Sequence, residues 1–300
     1  MEKIFNKTKS SSLTRWLTIF SFLLLTPKSD ESKEFKPVNL KTPQIVSYDY
    51  YNTQNLKEPI KLELSATYKP LVDLRVKKIL KSKDKELYEE RRSLFSQYDD
   101  YSGKSNVDLS LLESLVIVES KVNPRAKSPT GPMGLGQFSR ETAQRNGAII
   151  NYYLDDRLDP EKTLTELIPN HLSEILNLYK NIGINHPSFE QVLYTYHEGK
   201  PTRLSGKKLY SSCNSRLRYY ITEIGALKDL IEKNSLGYEL LPLYSERLEN
   251  TSLHIFRENE TIYSLASLNN TTIKEILIVN PLIRNINKIP LNYPLRIPTQ

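Results

Sequence analysis

Three hundred residues exceed one minimal domain and suffice for a main core with a smaller companion. With 38% hydrophobic and 26% charged residues the chain has ordinary globular composition, and its single cysteine, Cys213, excludes an internal disulfide or a thiolate metal cluster. The net charge of +7 favours polyanionic partners, and 19 Tyr against one Trp point to surfaces that contact polar ligands.

Lys3, Lys7, Lys9 and Arg15 precede an apolar run from Trp16 to Leu25, the order of a secretory signal. The run is short for a bilayer span, and no small-x-small cleavage site follows it. Residues 1–26 therefore read as a signal peptide or an uncleaved N-terminal membrane anchor, and the chain as exported to the periplasm or cell envelope. Residues 27–69, rich in Lys, Pro, Ser, Asn and Tyr, read as a linker or loosely packed arm. From Leu71 to Tyr101 apolar positions recur at helical spacing.

Ser110 and Glu113 have the spacing of a capping box, which places a helix start just before an apolar run. On that helix Leu112, Leu115, Val116 and Glu119 fall on one face, and Asn123-Pro124 ends it. Residues 128–132 form a loop. Ser139 caps a short helix that stops at Asn146-Gly147, Asp159-Pro160 begins another, and Ser188 with Gln191 boxes a third that stops at Gly199. A last helix spans about Arg216 to Lys233. After Pro242 the pattern changes to a short strand (254–256), helices from about Ile262 and Ile273, and a closing strand near 295–297. The fold class is mainly α, with a small βααβ unit behind it.

A glycosidase needs a carboxyl held neutral near pH 7 to protonate the leaving oxygen, and burial against apolar side chains does this by disfavouring the anion. Glu119, at the end of a greasy stripe, meets that requirement. Periodicity alone leaves open an amphipathic helix whose last turn happens to carry a Glu. The four histidines show no ligand spacing, so no metal and no cofactor is expected.

Residues 119–138, Glu-Ser-Lys-Val-Asn-Pro-Arg-Ala-Lys-Ser-Pro-Thr-Gly-Pro-Met-Gly-Leu-Gly-Gln-Phe, resemble the signature of the SLT-type, goose-lysozyme-like lytic transglycosylases. Glu119, Ser120, Asn123, Pro124, Ala126, Ser128, Gly131, Gly134, Leu135 and Gln137 stand at the matching positions. Asp159-Pro160-Glu161-Lys162 resembles the family's helix start, and 216–233 resembles the closing helix of the membrane-bound transglycosylase D group. The resemblance implies a lysozyme-like α-helical catalytic domain over residues 70–245 that cleaves the MurNAc–GlcNAc β-1,4 bond of peptidoglycan and forms 1,6-anhydro-MurNAc. It implies Glu119 as sole general acid and base, with Ser120, Ser128, Gln137 and Tyr196 contacting substrate.

Several positions depart from that pattern. Thr195-Tyr196-His197-Glu198-Gly199 keeps the Tyr of the family's Ala-Tyr-Asn-Ala-Gly segment and replaces its neighbours. Gly136 stands where a larger residue usually walls a sugar subsite. Residues 252–300 resemble a LysM peptidoglycan-binding module, which implies glycan contacts from Glu260, Thr261 and Ile262 and from Asn280, Pro281, Leu282 and Ile283. In that module Asn259 and Asn292 stand where the family has Gly.

Two other readings stay open: a hydrolytic muramidase in which Glu198 directs water, and an inactive wall-binding protein. The charges are dispersed and no recognition motif appears, so no nucleic-acid partner is expected.

Overall fold

The computed structural model describes residues 59–299, so the expected signal or anchor (residues 1–26) lies outside the described residues. The described chain is mainly helical, and residues 59–299 belong to one compact unit. Among these residues no helix is long and apolar enough to cross a membrane.

The arm expected to reach residue 69 gives way to packed structure earlier. Leu62 and Tyr68 are buried, and Ile60 pairs with Val107 through hydrogen bonds of 2.8 and 3.2 Å to Asn106 and Asp108. Ile60, Leu62 and Leu64 alternate over a run too short to stand out in a polar stretch, yet with Tyr68 they anchor it beside α1 (Lys69–Leu80). Next come α2 (Asp84–Ser96), α3 (Asp99–Ser102) and α4 (Leu109–Ser120).

The central helix α4 starts at Asp108, whose carboxylate accepts from the Leu111 amide at 3.1 Å. The expected Ser110–Glu113 box does not form. Ser110 instead donates to Asp108, while Glu113 turns inward and accepts from Arg92 Nε at 2.9 Å. Both members of that ion pair are buried, so each compensates the other's charge away from water. Nor does α4 present a single stripe: Leu111, Leu112, Leu115, Val116 and Ile117 are all fully buried. Helices α2 and α10 (Ser215–Glu232) pack against it, so the helix is enclosed rather than amphipathic.

Lys121 and Val122 take left-handed backbone angles and stop α4 before the loop that follows. Then come α5 (Arg140–Arg145), capped by Ser139 as expected, and a 3-10 turn over Asp156–Leu158. Asp159 caps α6 (Pro160–Lys162), which runs through a π-helical turn (Thr163–Leu167) into α7 (Ile168–Asn181). The π turn sits where Pro169 lacks an amide donor for the regular ladder. After it come α8 (Phe189–Glu198), α9 (Gly206–Ser212) and α10. Gln191 accepts from the Ser188 amide at 2.9 Å, and Gly199 ends α8 with φ of 76°, both as the sequence implies.

From α11 (Tyr244–Glu249) the chain enters the βααβ unit: β1 (Thr251–Ile255), α12 (Ile262–Leu268), α13 (Ile273–Ile278) and β2 (Pro294–Pro298). The strands pair antiparallel, with His254 opposite Leu295. Phe256, Ile262, Leu265, Ile276, Ile283, Leu295 and Ile297 form a small core of their own. Asn259 and Asn292 both have left-handed backbone, φ 65° and 64°, the conformation that glycine takes freely and asparagine tolerates best among the rest.

Candidate active site

The last turn of α4 delivers Glu119. Its neighbours in the helix belong to the core, so the carboxyl is held against protein with only partial access to solvent. Burial raises its pKa to about 7, opposed by a hydrogen bond from Tyr220 and the nearby charge of Arg216. The Tyr220 hydroxyl donates to Glu119 Oε1 at 2.6 Å. A carboxyl poised at this value can be protonated in one step and ionised in the next near neutral pH.

Tyr220 stands on α10, 101 residues away in sequence, and is itself buried. Sequence reasoning missed it. Its signal was present as Tyr219-Tyr220 on a helix whose buried positions include Leu217, Ile221 and Ile224, which puts Tyr220 on the inward side and leaves Tyr219 outside. Replacing Tyr220 by Phe removes a hydrogen bond to the charged form of Glu119. The expected result is a further rise of the Glu119 pKa, an upward shift of the alkaline limb of the pH–rate profile, and about tenfold lower kcat/KM. An unchanged profile would place the phenol outside the reaction.

Burial, aided by the nearby Glu119 charge, pushes the Tyr196 phenol well above its ordinary pKa and keeps it un-ionised. Its hydroxyl, however, donates to the Gly136 carbonyl at 3.1 Å, which ties α8 to the loop carrying Gln137. The direct donor to the Glu119 carboxyl is Tyr220, not Tyr196.

That loop, residues 123–138, is pinned by its own main chain. Met133 and Phe138 exchange two amide bonds of 3.1 Å, and Gly134 N donates to Ala126 O at 3.0 Å. Gly134 has φ of 81°, and a Cβ there would fall 1.7 Å from the Arg157 carbonyl oxygen, so only glycine fits. Gln137 donates its amide nitrogen to Ala126 O and Gly134 O at 3.2 and 2.8 Å, and remains partly accessible. Ser128 lies beside Thr130, the two hydroxyls 3.0 Å apart.

The structure corrects two expectations here. Ser120, expected to contact substrate, is buried and donates back to Val116 O at 3.0 Å, because the turn after Glu119 faces the core. Position 136 leaves no gap in the wall. A Cβ on Gly136 would meet the Phe138 ring at 2.6 Å, and that ring packs 6.0 Å from Tyr196 and 5.6 Å from His171. Phe138 occupies the space a larger residue would claim.

His197 and Glu198, at the exposed end of α8, bond to each other at 3.0 Å, and the His197 ring lies 5.1 Å from that of Tyr220. In the βααβ unit Glu260 accepts from His254 at 2.7 Å and from the Arg257 amide at 2.8 Å, which orders the loop ahead of α12. Thr261 caps α12 and is exposed, whereas Ile262 is core. Asn280 is buried and spends its side chain on Ile276 O, Arg296 O and Arg296 N, and Ile283 is buried too. Pro281 and Leu282 remain partly accessible.

Comparison with known proteins places this geometry. Residues 97–215 match the family described as Transglycosylase SLT domain. The chain is 31% identical over 144 residues to the membrane-bound lytic murein transglycosylase F of Serratia proteamaculans, covering 43% of this chain and 27% of that protein. It is 38% identical over 79 residues to the peptidoglycan transglycosylase gp16 of Escherichia phage T7, covering 26% of this chain and 6% of that protein. The chain thus spans only about a quarter, or less, of the length of these relatives. A solved lytic transglycosylase Slt from Pseudomonas aeruginosa aligns with a TM-score of 0.36 at 15% identity over 56% of this chain and 30% of that one, too low a score to carry the fold. The helical segment that holds Glu119, the loop 123–138 and α8 therefore lies within the stretch that matches the Transglycosylase SLT domain.

Proposed function

We propose that this protein is a peptidoglycan lytic transglycosylase in which Glu119 serves as both acid and base. The observation that carries the reading is the Glu119 carboxyl, raised to about 7 by burial and held by the Tyr220 hydroxyl at 2.6 Å. Protonated Glu119 gives its proton to the oxygen between MurNAc and GlcNAc, and the C1–O bond breaks. The substrate's N-acetyl group stabilises C1 in place of a second carboxylate. The MurNAc C6 hydroxyl then bonds to C1 and returns its proton to Glu119, closing a 1,6-anhydro ring without consuming water. Glu198 is solvated and paired with His197, which supports a single-carboxyl mechanism over water activation. Ser128 and Gln137 are the polar groups expected to meet the sugar.

Mass spectrometry of glycan fragments released from purified sacculi tests the reaction. The expected fragments end in anhydro-MurNAc, one water lighter than hydrolytic products, and reducing-end MurNAc as the main product would overturn the assignment.

In the same reading the βααβ unit is a LysM glycan-binding module. Glu260, Thr261, Pro281 and Leu282 offer accessible side chains, while Ile262, Asn280 and Ile283 shape the loops from inside. Export to the cell envelope follows from the basic-then-apolar start of the chain and agrees with relatives named as membrane-bound.

A further inference from the structure

Between α5 and the 3-10 turn, the loop of residues 149–155 meets the βααβ unit, and Leu154 pairs with Ile283. Tyr152 and Tyr153 stand on this loop with relative exposures of 57% and 45%, and their rings meet edge to face at 5.0 Å. The two neighbouring rings form an accessible aromatic patch.

Four cations converge on this junction from both sides. Arg140 donates to Ile150 O at 3.0 Å, and Arg125 donates to Pro281 O and Ile283 O at 3.3 and 2.7 Å. Arg284 reaches Asn151 O at 3.4 Å, and the Lys288 ammonium lies 4.5 Å from the Tyr152 ring centroid and donates to its hydroxyl. Their partners are carbonyls and a phenol, which orient the groups and neutralise no charge. Among the described residues none of the four is ion-paired with a carboxylate. Of the acids near this loop, Asp155 is committed to Arg157 at 2.7 Å and Asp156 to the Ile149 amide at 2.7 Å, while Glu141 lies beside Arg140 and offsets part of its charge. The result is a positive, aromatic surface that bridges the two parts of the molecule. It is continuous with the catalytic loop, since Ala126, next to Arg125, accepts the Gln137 amide at 3.2 Å.

We infer that this junction is a second substrate surface, which takes the free carboxylates of peptide stems on an uncleaved peptidoglycan strand and stacks the strand against Tyr152 and Tyr153. The inference rests on the proposed wall substrate. The sugar backbone offers hydroxyls and acetamides and little charge, so the anionic groups that match Arg125, Arg284 and Lys288 are those of the stems. A polymer with charge at intervals and rings between them fits cations interleaved with tyrosines.

The test uses the full chain carrying Glu119→Gln, so that strands stay intact, and measures binding at low salt to uncrosslinked glycan strands with their stems and to strands stripped of them. The expected result is tighter binding of the stem-bearing strand. Adding Arg284→Ala and Lys288→Ala, both at exposed positions, is expected to cut that preference roughly three- to tenfold and to leave the affinity for stripped strands unchanged. Raised salt should shrink the preference in the same way. Equal binding of the two strands by the parent, or an undiminished preference in the double variant, overturns the inference. So does equal competition by duplex DNA or by phosphatidylglycerol vesicles, which would reduce the surface to a general polyanion contact. If the double variant unfolds, Lys288→Glu alone is read against the same two strands. A stem preference in a protein that does not cleave sacculi would sink the lytic reading and leave this surface standing.

Discussion

Glu119→Gln is expected to lower release of glycan fragments from purified sacculi by about 10³-fold or more, because the side chain keeps its shape and hydrogen bonding but no longer holds a transferable proton. Turbidity loss equal to that of the parent would remove Glu119 from the reaction. In the proposed reaction the productive form is the protonated carboxyl, so cleavage should fall as pH rises through about 7. The same substitution carries a stability signature of definite sign. The folded-state pKa lies above the unfolded one, so between about 4.5 and about 7 the unfolded state binds fewer protons and folding stability is lost as pH rises. Gln has no such titration. The Gln variant should therefore gain in melting temperature over the parent at pH 8 and gain little at pH 4, the pattern of a site whose burial serves function at a cost in stability.

The second large effect lies away from the reacting carboxyl. Arg157 is buried, and its guanidinium bonds the fully buried Asp155 at 2.7 and 2.9 Å while a third nitrogen holds the Phe138 carbonyl at 3.1 Å. One side chain thus compensates an interior charge and props the loop that ends in Gln137 and Phe138. Arg157→Met keeps much of the volume, strands the Asp155 carboxylate, and is expected to destabilise the protein by about 3–5 kcal/mol in urea unfolding. Adding Asp155→Asn should recover most of that loss, since the penalty comes from the unpaired charge. No recovery would mean that the loop contacts, rather than the ion pair, dominate.

The sequence by itself determined the local decisions. Helix boundaries at Ser139, Asp159, Ser188 and Gly199 are legible because capping side chains, proline and left-handed glycine act within a few residues of where they stand. The order of the βααβ unit and the candidacy of Glu119 were legible for the same reason, through period and spacing. What only the tertiary structure decided are the long-range pairings. Glu113 reads as a capping residue until Arg92 arrives from α2 to claim it, and Ser120 reads as a substrate contact where the structure shows it buried and bonded to Val116 O. Tyr220 reaches Glu119, and Arg125 reaches the βααβ unit, across 101 and 156 or more residues. Such partners leave no local trace, because which side chain meets a buried charge is set by how the helices pack and not by the stretch of chain that carries it.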